Sequence, residues 1–282
     1  MQSLEKSVQE KYERLKSIIA QAGRVALAFS GGVDSSLLLK VCFDVLGQAV
    51  LAITARSESF PEKEVMEATR IAALVGARHM LMDTEEMQVP GFSENPPNRC
   101  YLCKQELFGK IRQIADREGI QVIFDGSNAD DAGDYRPGRK AAREAGVRSP
   151  LEEVGLGKAE LRTLSLMLGL PNWDRPSFAC LASRFPYHTK ITASALRQVE
   201  EAEAFLWQLG MRVFRVRHHG TVARIELGAE DMQKLWEESM APSIVKALKS
   251  IGYNYVALDL EGYRSGSMNE TLGEEKQALA GP

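Results

Sequence analysis

The stretch AFSGGVDSS, residues 28–36, decides how the rest of the chain is read. The short apolar run RVALAFS (24–30) leads into it, and SSLLLKVCFDVLG (35–47) leads out of it with helical spacing. A β-rich run that ends at glycines and passes straight into a helix is a βα turn. Ser30, Gly31, Gly32, Asp34, Ser35 and Ser36 are the residues of that turn. Glycines let the backbone come close to a ligand. The start of the following helix offers unpaired N–H groups and a positive dipole end, which favour an anion. The Gly-Lys-Ser/Thr ending of a Walker loop is missing, and so is the dinucleotide fingerprint.

Outward from this turn, the chain alternates. The runs 49–57, 77–83 and 121–127 read as further strands; 61–76 and 101–119 read as helices, after an amphipathic helix over the first twenty residues. The strands are continuous apolar runs, as in a parallel sheet covered by helices on both faces. The predicted fold class is therefore α/β. Ser57 and Gly126 fall at the C-terminal ends of strands, where ligands gather in open α/β sheets. The segment 128–146 reads as irregular, 149–171 as mostly helical, and 174–191 as a loop. From about 192 the pattern changes to a helix, a hairpin (RVFRVRHH and TVARIEL), a helix over 229–252 and a strand over 253–262. This predicts a small α+β domain on an antiparallel sheet. The expected organisation is a first domain at 1–190, a second at 191–270 and a polar tail at 271–282.

With 282 residues, 44% of them hydrophobic, the chain can build one large core or two ordinary ones. A net charge of −3 argues against a nucleic-acid partner, which usually selects a basic protein. No apolar signal segment and no run of membrane length is visible, so a cytoplasmic protein is expected. Four cysteines are too few for a disulfide scaffold. Cys42 sits among Leu38, Val45 and Leu46 at helical spacing and reads as a core residue. Cys100 and Cys103, in RCYLCK, have the spacing of two thiolates that share a metal. Zinc, an iron–sulfur cluster and a redox disulfide are all open to such a pair. Cys180 lies in FACLASRF. If both loops border the top of the sheet, three thiolates meet there. Three suit a cluster with one open iron, or zinc completed by water or by His188, His218 or His219.

The string SGGVDS resembles the PP-loop of ATP pyrophosphatases, and DGSNADD (125–131) resembles their second loop. That resemblance implies ATP and Mg2+ as cofactors, transfer of AMP to a carbonyl or carboxylate oxygen, and Asp34 placing the Mg2+. The stretches FSGGVDSSLLL, DGSNADDAGDYRPGRKAAREAGVRSPL, LGLPNWDRPSFACLASRFPYHTKIT, RVRHHGTVARIEL and LDLEGYRSGSMNE follow in order. Together, over about residues 10–270, they resemble the LarE family of ATP-dependent sulfur transferases, which mature the nickel-pincer cofactor of lactate racemase.

The family resemblance implies adenylation of the carboxylates of pyridinium-3,5-biscarboxylic acid mononucleotide and their conversion to thiocarboxylates. One kind of member gives up the sulfur of a single cysteine, here matched by Cys180. The other holds a [4Fe-4S] cluster on three cysteines and transfers a sulfide from it. Having Cys100 and Cys103 as well as Cys180, this chain resembles the cluster kind. Arg215 and Arg217, two apart on a strand, face one side. With Arg184, Arg224 and Arg264 they suit a phosphate and two carboxylates. The resemblance carries over Glu203 and Glu226 as neighbours of a substrate phosphate or metal, and implies a homo-oligomer. The sulfide donor is not identified by the sequence. A tRNA thiolation enzyme also combines a PP-loop with such cysteines, but the acidic charge and the lack of a zinc-ribbon segment count against it. A nucleotide-binding module with structural zinc, and an amidotransferase needing a glutaminase partner, are the other readings.

Overall fold

A computed structural model describes residues 5–133, 137–176, 178–237, 240–264 and 266–272. The chain forms two compact units, Met1–Glu86 with Cys100–Phe178, and Met87–Arg99 with Ala179–Pro282. The division thus falls at 178/179 rather than near 190, and residues 87–99 belong with the C-terminal unit. The reason is visible within that unit. Asn95 Nδ2 donates to the Phe185 and Pro186 carbonyls, and the Ile191 N–H donates to the Ser93 carbonyl.

The first unit contains α1 (Lys6–Ala22), β1 (Val25–Ala28), α2 (Val33–Leu46), β2 (Val50–Arg56), α3 (Glu62–Val75) and β3 (Arg78–Asp83). These are followed by α4 (Arg99–Arg117), β4 (Val122–Phe124), α5 (Pro137–Glu144), α6 (Pro150–Glu153) and α7 (Lys158–Met167). Its sheet is parallel, in the order β3-β2-β1-β4. The period of two along each strand sorts its side chains between two cores. Val25, Leu27, Val50 and Ala52 pack with Leu15, Leu38 and Cys42 of α1 and α2. The intervening Ala26, Leu51 and Ile53 pack with Phe108, Ile111 and Ile114 of α4. Helices thus cover both faces, as the continuous apolar strands predict, and Cys42 is fully buried. The strand order reverses at β1, so the loops after β1 and β4 flank the crevice where such sheets bind ligands.

One element departs from the expected irregular segment 128–146. Residues Pro137–Glu144 are helical; the proline stands at the first helical position, where its missing N–H costs nothing.

The second unit contains α8 (Ala193–Gln208), β5 (Phe214–His219), β6 (Val222–Leu227), α9 (Ala229–Lys234), α10 (Met240–Ile251) and β7 (Tyr255–Leu258). Its core joins Ala202 and Leu206 of α8 to Val216, Ile225, Ile244 and Leu248. Two expectations are corrected here. The sheet is mixed, not antiparallel, because β7 runs parallel to β6. The helices between these two strands form the crossover that a parallel pair requires. The single helix expected over 229–252 is two, because Pro242 is tolerated only in a first turn, which makes α10 start afresh at Met240. Of the expected tail, Thr271 and Leu272 end a short 3-10 turn, Ser267–Leu272; residues 273–282 lie outside the described residues.

Candidate functional site: a nucleotide loop and an arginine–carboxylate cluster

In the first unit, the β1–α2 turn is shaped by steric necessity. Gly31 has a φ of +72°, and a Cβ there would sit 2.8 Å from the Ala68 Cα on α3. Gly126, after β4, lies so close to α2 that a Cβ would stand 3.0 Å from the Ser35 nitrogen. Both glycines therefore allow backbone contact that no side chain permits. Gly32, at the N-cap of α2, has no side chain to cap the helix. Around it, the Ser30 and Ser35 hydroxyls lie 3.1 Å apart, and the Gly32 nitrogen is 3.4 Å from Ser30 Oγ. This gathering of hydroxyls and an amide at a helix start fits a phosphate. Ser36 is fully buried, and its hydroxyl accepts from Asn172 Nδ2.

Asp34, in the first turn of α2, accepts a 2.8 Å hydrogen bond from Asn128 Nδ2. Burial pushes its carboxyl pKa up, and the nearby Asp131 adds to this, against the Asn128 bond and the charges of Lys158 and Arg162. A carboxylate held in this way gains from a cation. Its hard oxygen donors fit Mg2+, which usually takes one or two carboxylates plus substrate phosphates. The loop after β4 is ordered from within. The Asp130 N–H donates to Asn128 Oδ1, the Asn128 N–H to Asp131 Oδ2, and the Lys158 N–H at the start of α7 to Asp130 Oδ2. Ser57 is half-buried after β2, with its hydroxyl 3.4 Å from that of Ser59. Asn128 and Asn172 are structural partners of the loop that sequence reasoning did not single out. Asn128 lies within DGSNADD and Asn172 within LGLPNWDRPSFACLASRFPYHTKIT, but neither stretch marks its asparagine as a partner of the loop.

Cys100 and Cys103 lie at the start of α4, three residues apart and hence on one helical face. Cys100 is exposed and Cys103 half-buried; neither is in a disulfide. Two thiols on an accessible turn fit a soft metal ligand pair by donor chemistry. Among the described residues, no group of three or more His, Cys, Asp or Glu side chains is gathered as a metal site.

In the second unit, half-buried Cys180 sits at the N-cap of a 3-10 turn, Leu181–Arg184. That turn is pinned from inside. Arg184 is fully buried, and its Nη1 donates to the Ala179 and Cys180 carbonyls and to Ser183 Oγ. Its Nε and Nη2 reach Glu203 Oε1 and Oε2 at 2.8 and 3.0 Å, a bidentate pair. Burial raises the Glu203 pKa, but Arg184, Arg215 and the Val216 N–H outweigh it and hold the carboxyl below its ordinary range.

Arg217 Nη1 donates to the Ser183 carbonyl and its Nη2 to Glu226 Oε2 at 2.6 Å. Arg224, directly opposite Arg217 across the β5–β6 pair, donates to Glu226 Oε1 at 3.0 Å. Ser267 bridges the same carboxylate. Arg215 lies 4.8 Å over the Tyr263 ring, with its pKa lowered by burial and by the Arg184 charge. Four guanidinium groups thus surround two buried carboxylates, with Asp259 3.7 Å from Arg224 Nε as a third, and among these groups the excess is positive. Arg264 does not join them; it is half-buried and pairs with Glu261 and Glu270. His218 stacks between Phe185 and Tyr253, with its pKa lowered by burial.

No family model matches the chain. An uncharacterised protein of the cyanobacterium Synechocystis sp. is 44% identical over 94% of this chain and 99% of its own length. The pyridinium-3,5-bisthiocarboxylic acid mononucleotide synthase of Lactiplantibacillus plantarum is 38% identical over 95% of this chain and 97% of its own. An NH3-dependent NAD+ synthetase of Hyperthermus butylicus is 28% identical over 56% of this chain and 59% of its own. No helix among the described residues is long and apolar enough to cross a membrane. The glycine loop on a parallel sheet, together with a whole-length match to the synthase, gives the conclusion that this chain belongs to the LarE family of the PP-loop ATP pyrophosphatases.

Proposed function

We propose that the protein is an ATP-dependent sulfur transferase acting on pyridinium-3,5-biscarboxylic acid mononucleotide, with its product serving a nickel-pincer cofactor of the lactate racemase type. The whole-length likeness to the bisthiocarboxylate synthase carries this reading. A carboxylate becomes electrophilic once its oxygen is bonded to the α-phosphorus of ATP and pyrophosphate leaves. A sulfur nucleophile then attacks the carbonyl carbon, and AMP departs with the oxygen. Ser30, Ser35 and the Gly32 N–H bind the phosphates, with Ser57 and Gly126 bordering the nucleotide. Asp34 would hold Mg2+, which when bound would supply positive charge to the leaving pyrophosphate. The positive excess of Arg184, Arg215, Arg217 and Arg224 orients an anionic substrate, and Glu203 and Glu226 keep those arginines in place.

Cys100, Cys103 and Cys180 would hold a [4Fe-4S] cluster, which when bound would supply a soft sulfide for the second step. The hydrogen bonds to the Cys180 carbonyl hold its backbone in place, which suits a ligand. The alternative is that Cys180 itself is the sulfur that is lost. Iron, acid-labile sulfide and zinc per chain, measured on protein purified without oxygen, separate these. Iron and sulfide near four each support the cluster. Zinc alone makes the cysteines structural. With neither metal, loss of sulfur from Cys180 by mass spectrometry after turnover supports the single-cysteine route. Pyrophosphate release that depends on the dicarboxylate tests the first step. A cytoplasmic, homo-oligomeric enzyme is the accompanying expectation; a reducing compartment keeps three such thiols available.

A further inference from the structure

The glycine loop is held from two sides. On one side, Gly31 lies against α3, with no room for a Cβ beside Ala68. On the other is Asn172, only 3% exposed, in the segment that follows α7. Its Nδ2 donates to the Gly31 carbonyl and to the Ser36 hydroxyl, each at 3.0 Å. The orientation of that amide is determined, since a carbonyl oxygen can only accept. Asn172 Oδ1 is buried and has no hydrogen-bond partner among the described residues. A buried acceptor without a donor is unfavourable, so the side chain is not kept there for its own hydrogen-bond balance.

The peptide bond between Gly31 and Gly32 is planar and trans, which sends its C=O and N–H in opposite directions. A carbonyl held on Asn172 therefore turns the Gly32 N–H away from Asn172. On that other side the Gly32 N–H donates to Ser30 Oγ at 3.4 Å, a long bond that a phosphate oxygen would replace, and Ser35 Oγ lies 3.1 Å from Ser30 Oγ. Glycine at both positions would otherwise let this peptide rotate freely.

We propose that Asn172 is a positioning residue of the nucleotide site, fixing the Gly31–Gly32 peptide so that the Gly32 N–H donates to a β- or γ-phosphate oxygen of ATP. This rests on the nucleotide reading of the loop. Asn172 acts through the peptide and touches no reacting atom. Its loss alters recognition of the phosphates and leaves the nucleoside part of the site as it was.

The test compares Asn172→Ala and Asn172→Ser with wild type, using inorganic pyrophosphate, ATP and adenosine as probes, with thermal unfolding in parallel. Asn172→Ala is expected to weaken pyrophosphate and ATP about tenfold or more, the scale of one hydrogen bond to a charged group. Adenosine affinity stays unchanged. Asn172→Ser, which keeps one donor on a shorter arm, falls between the two and serves if the alanine variant does not fold. Equal weakening of adenosine and pyrophosphate would mean a general packing role and would overturn the proposal. Unchanged pyrophosphate affinity in both variants would overturn it as well. Wild-type protein that binds neither ATP nor pyrophosphate would instead overturn the nucleotide reading, and the inference with it.

Discussion

Among the described residues, Asp34 in the first unit receives one hydrogen bond, from Asn128, whereas Glu203 in the second receives both arms of Arg184 and the Val216 N–H. The outcome for the two carboxyls is opposite. Burial dominates at Asp34 and raises its pKa; at Glu203 the arginines overcome an even deeper burial and lower it. The first carboxylate is left short of positive charge, as suits a group that meets a cation arriving with its ligand. The second is already neutralised inside the protein, and the surplus of charge around it belongs to the arginines. On the proposed function, the first site would take a cation with its nucleotide, and the second, complete as a scaffold, would offer its excess charge to an anion.

The contrast can be broken most directly at Arg184. Arg184→Met leaves Glu203 buried without its main partner, and a loss of about 3–5 kcal/mol is expected in urea unfolding of the second unit. Arg184→Met combined with Glu203→Leu should recover most of it. A single variant as stable as wild type would refute the scaffold role. At Asp34 the expectation reverses. Asp34→Asn keeps the shape, relieves a charge that burial disfavours, and leaves the thermal midpoint nearly unchanged. Substrate-dependent pyrophosphate release should nevertheless fall by about 10²–10³, as when a charge-stabilising group is removed.

The glycines sharpen the comparison within the loop itself. Gly31→Ala forces a positive φ on alanine and meets Ala68, so about 1–3 kcal/mol of stability is expected to go, together with nucleotide affinity. A Cβ at Gly32, where φ is −71°, would meet only Ser30 Oγ, at 3.4 Å. Gly32→Ala should therefore leave stability within about 0.5 kcal/mol and still weaken pyrophosphate binding, because the methyl points into the phosphate cradle. Equal stability losses in calorimetry would contradict this division.

The smallest expected effect is one of pH. Burial lowers the pKa of His218 from 6.5, so below pH 6.5 the unfolded chain binds the proton more readily than the folded one. Stability should fall as pH drops from 6.5 and level off once the folded histidine also titrates. His79 and His219, lowered by burial too, act in the same direction. Thermal midpoints between pH 7.5 and 5.0 should slope less in His218→Gln; an identical slope would remove His218 from the account.

Much of this was legible from residue order. Continuous apolar runs gave the four parallel strands, and the SGGVDS string marked where the first of them meets its helix. The departures have local causes that were also present. Pro137 can open a helix and Pro242 can only begin one. A segment long enough for two helices between β6 and β7 permits a parallel return. The alternation of TVARIEL and YNYVALDL marks strands but carries no sign of their relative direction, since periodicity two is the same for either. The residues that complete the sites were less visible. Asn172 has no spacing to announce it; it matters because the chain after α7 comes back beneath a loop more than a hundred residues earlier.

The sequence by itself determined the class of fold, the position of the glycine turn and the residue types available for chemistry, because these depend on local periodicity and on groups adjacent in the chain. Only the tertiary structure decided which arginine neutralises which carboxylate and which amide holds the Gly31 carbonyl. Those pairings depend on side chains brought together from distant elements, and on burial, which makes each partner's charge count.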